Sequence, residues 1–238
     1  MVERLRKGYA AAMTPAARLF MALRMTPDMV TWLGTLLVVV VSLWLVPAGY
    51  LWQGALAITF CVLTDGVDGQ MARMMNHKSA YGAFLDSTLD RVADGAIFGA
   101  VALYYAGQGD SVLWSGLALG ALVMGQVTSY AKARGLALGF KVWGGLAARG
   151  DRLLVLLVGM LLAGLGVHRA MPIALCYLLF ASSWTVLQRM GQVKKQAREA
   201  EAAGIEMVDP QATVAAEHAD QQSLHLKERA ARRERGSA

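Results

Sequence analysis

The sequence predicts an all-α, polytopic membrane protein: six transmembrane helices preceded by an N-terminal amphipathic helix lying in the interface. Three observations carry this reading. Apolar residues make up 56% of the 238 residues and charged residues only 17%, whereas a soluble domain has about 25% charged. Six segments approach the roughly 20 apolar residues that a spanning helix needs. The Lys and Arg residues gather in alternate connections between those segments.

The elements follow in order. Residues 1–25 alternate basic with apolar side chains (Leu5, Tyr9, Met13, Leu19, Phe20, Leu23), the pattern of a helix lying in the membrane interface. Met25-Thr26-Pro27-Asp28 interrupts it, with Thr26 or Asp28 as the cap of the first span. The spans are predicted at 29–46, 52–74, 82–106, 111–135, 153–167 and 171–190. The first carries the run LLVVVVSLWLV, and no small-residue cleavage site follows it, so it is a retained helix and not a signal peptide. From Glu199 the chain turns polar. The predicted organisation is an interfacial helix over 1–25, a six-helix membrane domain over 26–198, and a weakly helical or disordered tail over 199–238.

Orientation comes from the basic residues. Arg4, Arg6, Lys7, Arg18 and Arg24 precede the first span, and Arg73 and Lys78 join the second to the third. Lys132, Arg134, Lys141, Arg149 and Arg152 join the fourth to the fifth, and Arg189, Lys194, Lys195 and Arg198 follow the sixth. With six spans all four groups share one side, and Arg169 stands on the other. Both termini are therefore expected in the cytoplasm, with the protein in the cell membrane. The net charge of +6 is not collected in one block, which argues against a nucleic-acid partner. Cys61 and Cys176 lie in apolar runs, which excludes a disulfide framework and a cysteine-based zinc site.

Five acids stand where a membrane helix should have none: Asp65, Asp68, Asp86, Asp90 and Asp94. Each costs about 2.5–3.5 kcal/mol near a helix centre on insertion scales. Asp65 and Asp68 are about 60° apart on a helix, and Asp86 and Asp90 about 40°, so each pair shares a face. If the second and third spans are antiparallel neighbours, the two pairs lie at matching depth, toward the cytoplasmic ends. Four carboxylates at one level, with oxygen ligands only, suit Mg²⁺ or Mn²⁺, and their charge suits two ions. Salt bridges to Arg73 and Arg91 are the plain structural alternative, but two arginines do not neutralise five acids. For Asp94 the structural reading is preferred, as a partner of Arg91 three residues earlier. Gly66, Gly69 and Gly82 are poor helix formers that let a ligand approach the backbone, and Arg73 stands where it can hold a phosphate.

These residues form one string: Asp65-Gly66-Val67-Asp68-Gly69-Gln70-Met71-Ala72-Arg73, eight residues, Gly82, three residues, Asp86, three residues, Asp90. It resembles the signature of the class I CDP-alcohol phosphotransferases, D-x₂-D-G-x₂-A-R-x₈-G-x₃-D-x₃-D, at every fixed position. The resemblance implies transfer of a substituted phosphate from a CDP-linked donor to an alcohol with release of CMP, two divalent ions, and a homodimer. By resemblance Asp65, Asp68, Asp86 and Asp90 are metal ligands, and Asp90 is also the general base. Gly66, Gly69, Ala72, Arg73 and Ser79 accompany Asp65 and Asp68 in binding CDP-diacylglycerol. Asp28-Met29-Val30-Thr31 is similar to a P-N-x-x-T donor-site segment, with Asp28 in place of the usual Asn.

The basic residues point to the acceptor alcohol. A cluster of Lys132, Arg149, Arg152 and Arg189 with Ser129 would form a pocket for an anionic group, which favours a sugar or polyol phosphate over serine, choline or ethanolamine. The string Ser129-Tyr130-Ala131-Lys132-Ala133-Arg134, with Arg149, Arg152 and Arg189, resembles the actinobacterial branch of the family that joins CDP-diacylglycerol to inositol 1-phosphate. Glycerol 3-phosphate, giving phosphatidylglycerophosphate, is the alternative acceptor. A divalent-cation transporter is the alternative class. Transporters tend to place such acids near the midplane, whereas these cluster toward one face.

Overall fold

Seven helices and no strand occur among the described residues of the computed structural model, which are 13–75, 79–146 and 148–205, with the side chain of Asp65 outside the description. Helix α1 covers residues 13–22. It is followed by α2 Pro27–Leu45, α3 Leu51–Met74, α4 Ala80–Ala106, α5 Val112–Ala137, α6 Arg149–Gly164 and α7 Ala170–Ala202. Residues 1–12 of the expected interfacial helix and 206–238 of the expected tail lie outside the described residues.

Local chemistry sets the helix starts. The Thr26 hydroxyl accepts the Met29 N–H at 3.3 Å and Pro27 follows it at the first position, so Thr26 and not Asp28 is the cap. Ser79 caps α4 in the same way, accepting the Gly82 N–H at 2.8 Å. Each such cap satisfies a backbone donor that the helix leaves open.

Each predicted span lies on one helix, with two differences. Helix α6 begins at Arg149, because its first turn tolerates Asp151 and Arg152 as polar residues. Helix α7 continues through the predicted boundary at 199 as far as Ala202. Its extension is rich in Gln, Lys, Glu and Ala, which are good helix formers. Three helices, α2, α5 and α7, are long and apolar enough to cross a membrane. The others fall short for visible reasons: α3 and α4 carry the acids, and α6 has 16 residues.

The chain divides into two compact units. The first comprises 1–127 and 146–184, and the second 128–145 and 185–238. The core of the first unit gathers Ile58 of α3, Ile97 and Val101 of α4, Leu156 and Met160 of α6, and Met171 and Leu175 of α7. Close approach is bought with glycine at Gly164, where a Cβ would collide with the Trp52 backbone, and at Gly159, where it would come within 2.7 Å of Ala174 Cβ. Outward-facing side chains are large and apolar, among them Trp44, Phe60, Leu113, Ile173 and Phe180. Exposed apolar surface on this scale fits lipid and not water.

A smaller cluster joins α1 to the fold: Ala17 packs with Val30, Val67 and Met71, flanked by Met13, Phe20 and Met25. Helix α2 packs extensively on both α3 and α4, and α3 packs on α6. Ile58 and Cys61 of α3 share the main core with Ile97 and Val101 of α4. Toward the end of α3 and the start of α4 the two helices flank a cavity that α2 also lines.

In the second unit α7 holds the segment after α5. The Gln196 side-chain amide bonds both the N–H and the carbonyl of Lys141, at 2.9 and 2.8 Å, and Gln192 does the same for Trp143 at 3.3 and 3.0 Å. Arg189 donates to the carbonyls of Thr128 and, at 3.1 Å, Gly144. Gly145, at φ +124°, lies so close to Thr185 that no side chain fits there.

Candidate active site

The cavity has a volume of about 530 Å³ and is lined from three helices and their caps. Thr26, Pro27, Asp28 and Thr31 come from the start of α2, Asp68, Gly69, Ala72 and Met75 from the end of α3, and Ser79, Gly82, Ala83 and Asp86 from the start of α4. Two stretches some forty residues apart in sequence therefore meet, and the meeting depends on the caps. Thr26 starts α2 where Thr31 reaches α3, and Ser79 starts α4 where Asp86 turns toward the same space.

Hydrogen bonds fix the Asp68 carboxylate. The Thr31 hydroxyl donates to its Oδ2 and the Gly69 N–H to its Oδ1. The Pro27 carbonyl lies 3.1 Å from the same hydroxyl. Gly69 has no packing reason to be glycine, since a Cβ there would meet nothing within 4 Å. The space beside its backbone is open cavity. At Gly82 a Cβ would stand 3.0 Å from Ser79 Oγ and 3.5 Å from Asp28 Oδ1, so glycine protects the cap and the Asp28 carboxylate together.

Of the expected donor-site residues, Asp28, Thr31, Asp68, Gly69, Ala72 and Ser79 line the cavity. Met29 is exposed, and Val30 is buried against α1 and α3. Gly66 and Arg73 are not in the lining, and Arg73 is exposed on the last turn of α3. The Asp65 side chain lies outside the described residues. Thr26, Pro27, Met75 and Ala83 also line the cavity and were not expected there from the sequence. Only the cap at Thr26 carried a signal, the Thr-Pro pair.

Asp90 lies apart from that lining. Its Oδ1 is 2.8 Å from Arg149 Nη1, and its Oδ2 is 3.6 Å from Arg91. Asp94 is buried and bonded to Arg149 Nε at 3.2 Å and to Arg152 Nη2 at 3.4 Å. The expected Asp94–Arg91 pair is thus replaced. Arg91 turns to Asp90, while the two arginines of the first turn of α6 reach across to Asp94. A cross-helix pair in the interior has no competing water, which the i,i+3 pair at the half-exposed Arg91 does. Arg149 and Arg152 belong to the first unit, and Ser129, Lys132 and Arg189 to the second. Lys132 is exposed on α5, and Arg189 is buried.

The donor set suits a hard divalent cation, because the lining supplies the carboxylates of Asp28, Asp68 and Asp86 and the hydroxyls of Thr26, Thr31 and Ser79. Among the described residues no three of His, Cys, Asp and Glu converge closely enough to enclose an ion. Asp68 of α3 and Asp86 of α4 are the lining carboxylates that could hold it, and Thr31 orients the first.

The carboxylate-lined cavity at the D-x₂-D-G string thus lies in a membrane-type helical fold. Residues 24–188 match the model of the CDP-alcohol phosphatidyltransferase family, and the chain belongs to that family. It is 48% identical over 205 residues to the phosphatidylinositol phosphate synthase of Cutibacterium acnes, covering 82% of this chain and 98% of that one. The synthase of the same name from Streptomyces avermitilis is 43% identical over 202 residues, covering 82% and 83%. The crystal structure of Mycobacterium tuberculosis phosphatidylinositol phosphate synthase with CDP-DAG bound superposes with a TM-score of 0.73 at 37% identity, covering 76% of this chain and 92% of that chain. The structure of that enzyme with manganese and citrate gives the same score and covers 88% of that chain. The chain is therefore a membrane-associated transferase of a metal-using family, and not a cation transporter.

Proposed function

We propose that the protein transfers the phosphatidyl group of CDP-diacylglycerol to inositol 1-phosphate, giving phosphatidylinositol phosphate and CMP. The observation that carries the reading is the cavity at the D-x₂-D-G string, where Asp28, Thr31, Asp68, Gly69, Ser79 and Asp86 face one space. The names of the relatives support the choice of acceptor.

In this reading Asp65, Asp68, Asp86 and Asp90 hold two Mg²⁺ ions, with Mn²⁺ as a substitute. Bound divalent ions offset the charge that develops on the departing CMP. The open backbone at Gly69 admits the nucleotide, and a hydroxyl that already accepts one bond, as at Ser79, can still donate another. Arg73, with Gly66 and Ala72, lies along the path of the diphosphate. The acceptor hydroxyl attacks the phosphorus of the phosphatidyl group. The new O–P bond forms as the bond to CMP breaks, and the hydroxyl proton passes to the Asp90 carboxylate. Ser129, Lys132, Arg149, Arg152 and Arg189 bind the acceptor phosphate.

The membrane arrangement belongs to the same proposal. Helices α2 to α7 make six spans, α1 lies in the interface, and both termini and the site are cytoplasmic. The domain runs over 26–198, the tail lies outside the membrane, and the active form is a homodimer.

An acceptor panel with purified protein, CDP-diacylglycerol and Mg²⁺ tests the reading. Inositol 1-phosphate is expected to release CMP fastest, with inositol, glycerol 3-phosphate and serine far behind. Preference for glycerol 3-phosphate would make the enzyme a phosphatidylglycerophosphate synthase. Equal rates with inositol and inositol 1-phosphate would overturn the anionic acceptor altogether.

A further inference from the structure

One buried carboxylate remains outside the reaction as described. Asp94 lies one helical turn beyond Asp90 on α4 and is 4% exposed. A buried carboxylate needs a countercharge, and Arg152, equally buried, supplies one through Nη2 at 3.4 Å. Asp94 also takes a second arginine. Its Oδ1 accepts from Arg149 Nε at 3.2 Å.

The atom bonded on Arg149 matters. Nε is the inner nitrogen of the guanidinium, so fixing it sets the plane and direction of the outer fork. The fork then points at Asp90, with Nη1 at 2.8 Å from Oδ1. Side-chain exposure is 3% at Arg152 and 5% at Asp94, against 26% at Arg149 and 15% at Asp90. Arg149 can therefore meet a ligand, and Asp94 cannot.

Space for the arrangement comes from α5. A Cβ on Gly125 would lie 3.2 Å from Arg152 Nε, so glycine leaves room for that guanidinium. The Gln126 side chain donates to the Arg91 carbonyl at 3.0 Å, tying α5 to α4 at the same level. Three guanidiniums, those of Arg91, Arg149 and Arg152, bond the carboxylates of Asp90 and Asp94.

We infer that Asp94 is a positioning residue for the acceptor phosphate: it fixes Arg149 by Nε and Arg152 by Nη2, so that the Arg149 fork stands beside Asp90 where the acceptor must bind. This rests on the proposed anionic acceptor. It adds a residue that touches no substrate but decides how well one substrate is held.

The test is a split between the two substrates. Asp94→Asn keeps the shape and removes the charge that aligns the arginines. The KM for inositol 1-phosphate is expected to rise at least tenfold, while the KM for CDP-diacylglycerol stays within twofold. Inorganic phosphate, as a competitor of the acceptor, should lose potency in parallel. Should that variant fail to accumulate, Asp94→Glu carries the test, since it keeps the charge but displaces it by one methylene. A several-fold rise in acceptor KM alone is expected there. Both KM values rising together, or neither moving in folded protein, would reduce Asp94 to a structural ion pair. The wild-type control separates the two ideas. If wild type does not distinguish inositol from inositol 1-phosphate, the acceptor reading fails and this inference with it. If wild type distinguishes them and the variants are unaffected, only the role of Asp94 fails.

Discussion

Thr31 on α2 donates its hydroxyl to Asp68 on α3, and this bond spans the cavity wall between two helices. It leaves Asp68 with one oxygen oriented by α2 and the other by the Gly69 N–H. A carboxylate held this way is preorganised for a cation. It is also where the Asp-Met-Val-Thr segment and the D-x₂-D-G string become one site.

Removing that hydroxyl should therefore loosen the metal before it affects anything else. Thr31→Val keeps the branched shape and loses the donor. The Mg²⁺ concentration for half-maximal activity should rise about tenfold, the lower range for a lost oriented partner of a metal ligand, and Thr31→Ser should restore it. Metal titration of activity in both variants is the measurement. An unchanged Mg²⁺ requirement in the Val variant would separate Thr31 from the metal.

Asp90→Asn preserves volume but removes the proposed base and one ligand. Activity should fall at least about 10²-fold, as for loss of a general base, while CDP-diacylglycerol still binds. Steady-state rates and donor binding on the same preparation check this. Activity within threefold of wild type would remove Asp90 from the mechanism and leave it as the partner of Arg149.

A fold prediction concerns the close approach of α6 to α3. Gly164→Ala places a methyl group against the Trp52 backbone. Backbone there cannot give as a flexible side chain can, and overpacking of this kind costs about 1–3 kcal/mol. A lowered Tm in detergent is expected, with kcat per folded molecule unchanged. An unaltered Tm would mean that the helix ends separate without cost.

Much of this was legible beforehand, for particular reasons. The helices were legible because long apolar runs mark them, and Thr26-Pro27 marked a helix start through the chemistry of caps. The acids were legible because a carboxylate inside such a run costs energy that something must offset. The partners of Asp94 were not, because sequence offers Arg91 at helical spacing and hides Arg149 and Arg152 some 55 residues away. The clamp of Gln192 and Gln196 on residues 141 and 143 was hidden too. Glutamines four apart on a polar helix end look like solvated surface until an extended segment is laid beside them. The same facts made the end of α7 unpredictable, since its apolar run stops at about residue 190 while its tertiary contacts continue.

The acceptor residues of the second unit allow one last separation. Lys132 is exposed on α5, whereas Arg189 is buried and bonded to the carbonyls of Thr128 and Gly144. If both bind the acceptor phosphate, each contributes a charge-assisted contact of about 1.5–3 kcal/mol. Neutralising either should then lower acceptor kcat/KM by roughly 10–150-fold. Their effects on stability should differ. Lys132→Ala should leave Tm unchanged, because no packing is lost. Arg189→Ala should lower it, because buried carbonyls lose their donor. The decisive measurement pairs kcat/KM for inositol 1-phosphate with Tm in the two variants, together with CDP-diacylglycerol binding in the absence of acceptor. Donor binding should hold in both. A Lys132 variant with normal acceptor kinetics would make that lysine a topology anchor on the basic side. An Arg189 variant that loses stability but keeps its acceptor KM would make that arginine a clamp for the 141–145 segment alone.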